Sequence, residues 1–543
     1  MKRSFLLCVL LLPVSPLIAQ QKELPLPKVG VTVHTEEATP GYTLISPLST
    51  NRVFLLNNDG KVVHYWETDR KPGQSAYLLE DGTLVRGGKV DRFYQFPERT
   101  GSGGSIQKYD WDSNLLWNFV SSSQYRMSHH DIEPLPNGNI LCIVWESYLK
   151  EVAVQEGRDP DRLSQEVLWF EAVFELKPKG ENEADIVWKW SLKDHLIQDF
   201  DPDKNNYGDP AEHPERVDIN YMTRPVSDWI HMNSIDYNAE LDQIVVGSRT
   251  FSEFWIIDHS TTTEEAQGHT GGRYGRGGDL LYRWGNPRTW RQGDDEDRML
   301  FNQHDVHWIP PGLPGAGHIL LFNNGLQNSE QNFSSADELV LPLNADGAYD
   351  RPAGKAFAPQ QVSWTFEDPG NLFSPRISGA QRLPSGNTLI CSGTQHLLVE
   401  VTPDARVVWS YKNPPRWRNP PPLNRSGRPS DSLPKPSLAD VPEERLQTIR
   451  IKGGVPLEDG GTMFRALRYP PDYPAFKGRD LSVKHVPRPQ TRLPRVGDGG
   501  WKGNNSTAEN AETPRQAASE ERHGERSEQS GDPPNGASAD KRS

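Results

Sequence analysis

Six stretches of this chain repeat one short motif, a pair of mostly apolar residues followed by an aromatic step: Val62-Val63-His64-Tyr65-Trp66, Leu115-Leu116-Trp117-Asn118-Phe119, Ile186-Val187-Trp188-Lys189-Trp190, Leu280-Leu281-Tyr282-Arg283-Trp284, Val362-Ser363-Trp364-Thr365-Phe366 and Val407-Val408-Trp409-Ser410-Tyr411. A second unit, an apolar residue, a Gly-containing turn and an apolar strand, recurs as Leu79 to Leu84, Leu135 to Leu141, Ile309 to Leu321 and Leu383 to Leu389. Turn residues between β-branched and aromatic runs specify hairpins. The aromatic steps lie roughly 45 to 95 residues apart, the length of about four short strands with insertions. Four-stranded units repeated around an axis leave only short, protected sheet edges and enclose a central channel. The expected fold is therefore all-β, a six-bladed β-propeller over 40–480, with the repeat clearest over 40–415 and a closing segment at 416–480. The first copy begins with outer strands, so its inner strand is expected from the C-terminal side, around Thr448 to Ile451.

Composition narrows the partners. With a net charge of −14 over 543 residues, the chain lacks the basic stripe that a nucleic acid or an anionic membrane would require. Met1-Lys2-Arg3-Ser4, an apolar run from Phe5 to Leu12 and a small-residue site near Ala19 read as a secretory signal peptide over 1–19, too short to span a bilayer. A periplasmic or secreted protein with no membrane span is expected. Cys142 and Cys391 sit in apolar runs and read as free core thiols. Residues 414–440 are proline-rich, and 485–543 carry almost no large apolar side chains, so that tail is expected to be disordered.

Three segments place histidine beside a carboxylate or carboxamide: Ser128-His129-His130-Asp131, Ile230-His231-Met232-Asn233 and Gln303-His304-Asp305. A single His-Asp on a strand is ordinarily a satisfied turn or surface pair. Three of them at equivalent positions of a repeating fold would line one channel with imidazoles. The aromatic steps read as packing between blades rather than a cofactor stack. His64, His307, His318 and His396 are assigned no function.

The strings Ser128-His129-His130-Asp131-Ile132, Asp228 to Ile235, Gly278 to Pro287, Gln303-His304-Asp305 and Phe322-Asn323-Asn324-Gly325 resemble, in order over 40–415, the bacterial arylsulfotransferases, which work without the nucleotide donor PAPS. The resemblance implies a six-bladed propeller with its site at the channel. It also implies ping-pong transfer of a sulfuryl group from an aryl sulfate to a phenol through a sulfohistidine. Carried over residue by residue, His304 matches the nucleophile, His231 and Asn233 the His-x-Asn pair, and Arg249 the sulfate-binding arginine. His129 or His130 supplies the remaining histidine: alignment on 303–305 favours His130, alignment on 230–233 favours His129. Two features of enterobacterial members are missing, room before residue 40 for an N-terminal β-sandwich and a close cysteine pair.

Sulfuryl transfer needs an in-line nucleophile, donors for the charge on the sulfuryl oxygens and an acid for the departing phenoxide. A neutral His304 nitrogen can attack sulfur and divide one hard displacement into two. Arg249 and His231 can bind the oxyanion, and His129 or His130 can protonate the leaving phenol. Asp305, next along an extended strand, is expected to point away from the ring of His304. No metal or other cofactor is required. The loop Gly271-Gly272-Arg273-Tyr274-Gly275-Arg276-Gly277-Gly278 could close over an anionic substrate, although a solvated surface loop accounts for it equally. Two other functions fit the same residues: a metal-dependent hydrolase or lactonase using His130, His231 and His304 with Asp131 or Asp305, and a non-catalytic ligand-binding propeller.

Overall fold

The computed structural model describes residues 28–90, 96, 101–326, 333–351, 354–414, 453–456 and 459–487. Six antiparallel sheets form the six blades of a β-propeller. Written from the innermost strand outward, blade I is Met463–Tyr469, Tyr42–Pro47, Arg52–Leu56 and Val62–Glu67, and blade II is Pro72–Leu78, Leu84–Lys89, Gly104–Tyr109 and Leu115–Phe119. Blade III is Arg126–Pro134, Ile140–Leu149, Val167–Lys179 and Glu183–Ser191, and blade IV is Met232–Asn238, Gln243–Ser248, Glu253–Asp258 and Tyr282–Trp284. Blade V is His304–Trp308, Ile319–Asn323, Ser335–Leu339 and Trp364–Glu367. Blade VI is Gly379–Arg382, Thr388–Ser392, Leu397–Val401 and Val407–Lys412, with Gly30–His34 added on its outer edge.

Each of the six aromatic steps ends in the fourth strand of its blade, counted outward from the channel, and one job explains the repetition. The indole N–H of every step bonds to the following blade, at the connection between that blade's third and fourth strands. Trp66 donates to the carbonyl of Asp110 (3.1 Å), Trp117 to Glu183 (2.8 Å) and Trp190 to Gly278 (2.7 Å). Trp284 donates to Pro359 (2.7 Å), Trp364 to Pro403 (2.9 Å) and, completing the circle, Trp409 to Asn58 (2.8 Å). Tryptophan suits the position because one side chain buries a large apolar surface and carries a donor at its tip. The Gly-containing units form the connection between first and second strands in blades II, III, V and VI. Cys142 and Cys391 are buried and unpaired, as expected, and burial pushes the Cys142 thiol up to about 12.

The ring closes with the C-terminal side supplying the inner strand of blade I, but not from the segment expected. Thr448 to Ile451 lies outside the described residues, and the closing strand is Met463–Tyr469, paired to Tyr42–Pro47. The packed structure also runs slightly past the expected start of the tail. Val486 is buried among apolar side chains of blades I and VI, and the Pro487 carbonyl accepts from Arg52 (2.7 Å). The remainder of the 485–543 tail and the 1–19 signal segment lie outside the described residues.

Around the channel the inner strands are tied to one another by polar side chains. Tyr77 donates to Asp131 (2.8 Å), Asp131 accepts from the Ile235 N–H (3.0 Å) and Ser234 from that of Val306 (3.1 Å). Asp305 accepts from the Ala380 N–H (3.0 Å), Gln381 from that of Arg468 (2.6 Å), and the Tyr469 hydroxyl from that of Leu78 (2.9 Å). These ties satisfy buried backbone donors that have no sheet partner on the channel side, and they fix how the first residues of neighbouring inner strands face each other.

Candidate active site

The three histidine motifs fall in or beside the N-terminal part of the inner strands of three successive blades, III, IV and V. There the chain departs from regular β geometry. Pairing slips between Cys142 and Val144 opposite the 129–131 segment, between Met232 and Ser234, and between His304 and His307. His130, His231 and Asp305 have φ of 50°, 58° and 59°, and Ile377 at the start of blade VI has 53°. A bulge aims a side chain that a regular strand would turn elsewhere. Left-handed backbone at non-glycine residues costs of order 1–3 kcal/mol each and concentrates at functional positions.

His304 is buried with its tautomer set from both sides. Its Nδ1 bonds to Oδ1 of Asn324 (2.7 Å), whose amide nitrogen is committed to the carbonyls of Ser374 (2.6 Å) and Ile377 (2.9 Å). Oδ1 is therefore an acceptor and Nδ1 carries the proton. Nε2, left with its lone pair, accepts from the Ile377 N–H at 3.2 Å. His231 donates Nδ1–H to Asp228 (2.6 Å), so this imidazole is backed by a carboxylate, whereas His304 is backed by a neutral amide. His130 packs edge to face on His231, with ring centroids 4.5 Å apart. Phe464 of the closing strand lies 6.2 Å from the ring of His130 and 6.4 Å from that of His304.

The structure separates the two candidates at 129 and 130. His129 is turned away from the other two motifs: Nε2 bonds to Glu171 (2.9 Å), Nδ1 to Nδ1 of His130 (2.8 Å), and its face stacks on Trp145 at 3.9 Å. Glu171 also accepts from Trp145 Nε1 (3.3 Å) and the Met232 N–H (2.9 Å). His130 alone meets the cluster. A glycine at 101 is required beside it, because a Cβ there would lie 1.9 Å from the imidazole. Asn233 is fully buried and donates to the carbonyl of Gln303 (2.7 Å), so it touches the backbone next to His304.

Arg249, at the end of the second strand of blade IV, is half-buried and has no hydrogen-bond or ion-pair partner among the described residues for its guanidinium. Burial lowers its affinity for a proton, and Arg224 and Arg376 add to this against Asp228. Burial first and then Arg249 hold His304 well below the usual imidazole range. Burial, followed by His231, His129, His304 and Arg249, does the same for His130. Both rings are neutral near pH 7, in a site whose unspent charge is positive.

One residue deeper along the strands, Arg465 of the closing strand spans the channel. Its guanidinium is 2.7 Å from Asp131 and 2.6 Å from Asp305, and it donates to the Tyr77 hydroxyl (2.6 Å). Burial opposes its charge, but Asp131 and Asp305 raise its pKa on balance. Asp305 thus points away from the imidazole of His304, as expected of a neighbour on a strand. The Gly271–Gly278 loop does not reach the site. Tyr274 and Arg273 bond to the carbonyls of Leu241 (2.7 Å) and Glu240 (3.1 Å), in the turn at the opposite end of the inner strand that begins beside His231.

Sequence reasoning assigned no role to Glu171, Asp228, Asn324, Phe464 or Arg465. Asp228 and Asn324 stood inside strings that carry the resemblance, and Glu171 left a signal of its own, a lone carboxylate inside the apolar run Leu168 to Val173, where a charge needs a specific partner.

Fold and site together define a β-propeller with largely buried imidazoles gathered where the inner strands of three successive blades begin. The arylsulfotransferase (ASST) family model matches residues 32–413. The chain belongs to that family, and with it to the aryl-sulfotransferring transferases. No curated protein matches the chain. Among solved structures it is similar to a protein of unknown function from Bacteroides caccae, at 12% identity over 69% of this chain and 94% of that one, with a TM-score of 0.37. It is also similar to a protein from Lactobacillus plantarum (11%, 72% and 87%, TM-score 0.34) and to AztD from Citrobacter koseri (10%, 69% and 95%, TM-score 0.29). No functional argument rests on likenesses this distant.

Proposed function

We propose that the protein moves a sulfuryl group from an aryl sulfate to a phenolic acceptor, without PAPS, by a ping-pong reaction through a sulfohistidine on His304. The observation that carries this reading is the guanidinium of Arg249, without a hydrogen-bond or ion-pair partner among the described residues, in a site where burial first and then Arg249 keep His304 neutral. One charge then does two things: it binds the sulfate oxygens, and it adds to burial in preserving the Nε2 lone pair of His304 as a nucleophile.

In the first half-reaction His304 Nε2 releases the Ile377 N–H and attacks sulfur. The N–S bond forms as the S–O(aryl) bond breaks, and the departing phenoxide takes a proton. His231, carrying a proton on Nε2 as well, gives that proton to the phenoxide while its Nδ1–H stays on Asp228. In the second half the acceptor phenol returns a proton to His231, its oxygen attacks sulfur, and His304 is restored. His130 orients His231, His129 and Glu171 orient His130, and Asn233 holds the strand that presents His304. The metal-hydrolase alternative needs Asp131 or Asp305 as a ligand, and both are engaged by Arg465 and by backbone N–H groups. The signal-like segment at 1–19 leads us to place the enzyme in the periplasm or outside the cell.

The test is to incubate the purified protein with a chromogenic aryl sulfate, with and without a phenol, in the absence of PAPS and added metal. Acceptor-dependent phenol release is expected. Donor alone should leave one sulfuryl group on His304, read by intact mass and by peptide mapping under non-acidic conditions. His304→Ala should carry no label and no activity; label on another residue, or full transfer by this variant, would sink the assignment.

A further inference from the structure

Away from the channel, His195, His269 and Asp279 bring three ligand atoms within 4.8 Å of one another, and they are the one such group among the described residues. His195 follows the outermost strand of blade III, while His269 and Asp279 bracket the glycine-rich loop of blade IV. Both imidazoles direct Nδ1 at the same carboxylate oxygen, Oδ1 of Asp279, at 2.9 Å from His195 and 2.8 Å from His269.

The bonding of His195 poses a chemical problem. Its Nε2 is 2.8 Å from the carbonyl oxygen of Ala266, which can only accept, so Nε2 carries a hydrogen. A neutral His195 therefore has a bare lone pair on Nδ1, facing a carboxylate oxygen that also offers only lone pairs. Something positive must stand between them, either a second proton on the ring or a metal ion. Outer hydrogen bonds of this kind, from the far ring nitrogen to a backbone carbonyl, are what fix metal-bound histidines. The pocket is shaped for this imidazole: Trp190 lies parallel to it at 5.6 Å, and a Cβ at residue 278 would come 2.5 Å from its Nε2.

We propose that His195, His269 and Asp279 bind a divalent transition-metal ion, with Zn²⁺ the best match to two imidazoles and one carboxylate. Bonds of roughly 2.0 Å in a tetrahedron require ligand atoms a little over 3 Å apart, so the two short contacts widen by about 0.4 Å as the ion replaces the bridging protons. His195 and Asp279 are buried, while the His269 side chain is 47% exposed, giving the ion a path in and a water molecule the fourth position. The ion staples both ends of a loop whose Gly271, Gly272, Gly275 and Gly277 all have positive φ, and ties that loop to the segment after blade III. Closing so flexible a stretch removes conformations from the unfolded chain, so the site serves stability rather than transfer.

The full chain, stripped with a chelator and dialysed, is titrated with ZnCl₂ alone in a calorimeter, and Co²⁺ loading reports the ligand field. One ion per chain is expected, with a rise in melting temperature. His269→Ala, at a half-exposed position that leaves the fold intact, should weaken binding by more than roughly tenfold, the loss that even an outer partner of a ligand produces, and should abolish the thermal shift. Asp279→Asn should do likewise, and His231→Ala should bind as the wild type does. Absence of stoichiometric binding, undiminished binding by His269→Ala, or loss of the ion in His231→Ala in place of His269→Ala would each overturn the proposal.

Discussion

Among the described residues the guanidinium of Arg249 makes no hydrogen bond or ion pair, although Asp228 favours its charge, and the two consequences of that charge separate in experiment. As an oxyanion donor its removal should cost roughly 10²–10³ in rate, the usual loss for one strong donor. As a field on His304 its removal should also move a titration. With Arg249 present His304 stays neutral well below the ordinary imidazole range, so formation of the sulfuryl-enzyme should not fall as pH drops through about 6.5, the unperturbed imidazole value. Arg249→Met relieves the part of that depression that burial does not cause, and the acid limb of the single-turnover rate should move to higher pH. Equal loss at every pH would mean that Arg249 binds substrate without tuning the nucleophile. His304, His231 and Arg249 were legible in the sequence because each sits in a short string of its own. The residues that set their protonation were not: Asn324, Asp228 and Glu171 acquire meaning only when the fold delivers them to a particular ring nitrogen.

At the level of elements, the tryptophan latch explains why the repeat survives when blade lengths do not. Trp409 is fully buried and bonds to Asn58, whereas the equivalent bond of Trp364 to Pro403 is exposed. Trp409→Phe should therefore destabilise by about 1–3 kcal/mol, the range for stranding a buried polar group, and Trp364→Phe by less; denaturant unfolding of the two variants measures the difference. The outermost strands were readable because every one carries the same residue for the same task. The closing strand was misplaced because Met463–Tyr469 has no tryptophan and carries Arg465 and Arg468. Both arginines are spent on carboxylates, Asp131 and Asp305 for the first and Glu400 for the second. On a channel-lining strand, polar residues in buried positions erase the alternation that marks strands elsewhere.

For the molecule as a whole, stability against pH is a balance of opposed groups. His64, pushed down to about 4 chiefly by burial, together with His130 and His304, binds protons in the unfolded chain before the folded one. Their contribution is full above about 6.5 and falls as pH drops through the folded values. Asp236, pushed up to about 6 by burial, acts in reverse: its contribution is full below about 3.9 and is lost as pH rises through 6. Asp236→Asn removes the opposing group, so its melting temperature should fall more steeply than that of the wild type between pH 6 and pH 4. Chain ends divide just as sharply. A chain ending at 487 keeps Val486 and the Pro487 carbonyl and should melt like the full protein, since the residues beyond lack the apolar side chains to build a core. One ending at 462 loses the inner strand of blade I with Phe464 and Arg465, and should neither fold nor turn over. Blade I is thus the last sheet to be finished. A nascent chain holds three of its strands open until residue 469 has left the ribosome, and through that interval His130 and His304 lack the neighbouring ring of Phe464. No fragment that stops short of the closing strand is therefore expected to transfer a sulfuryl group, and activity should first appear once that strand has docked.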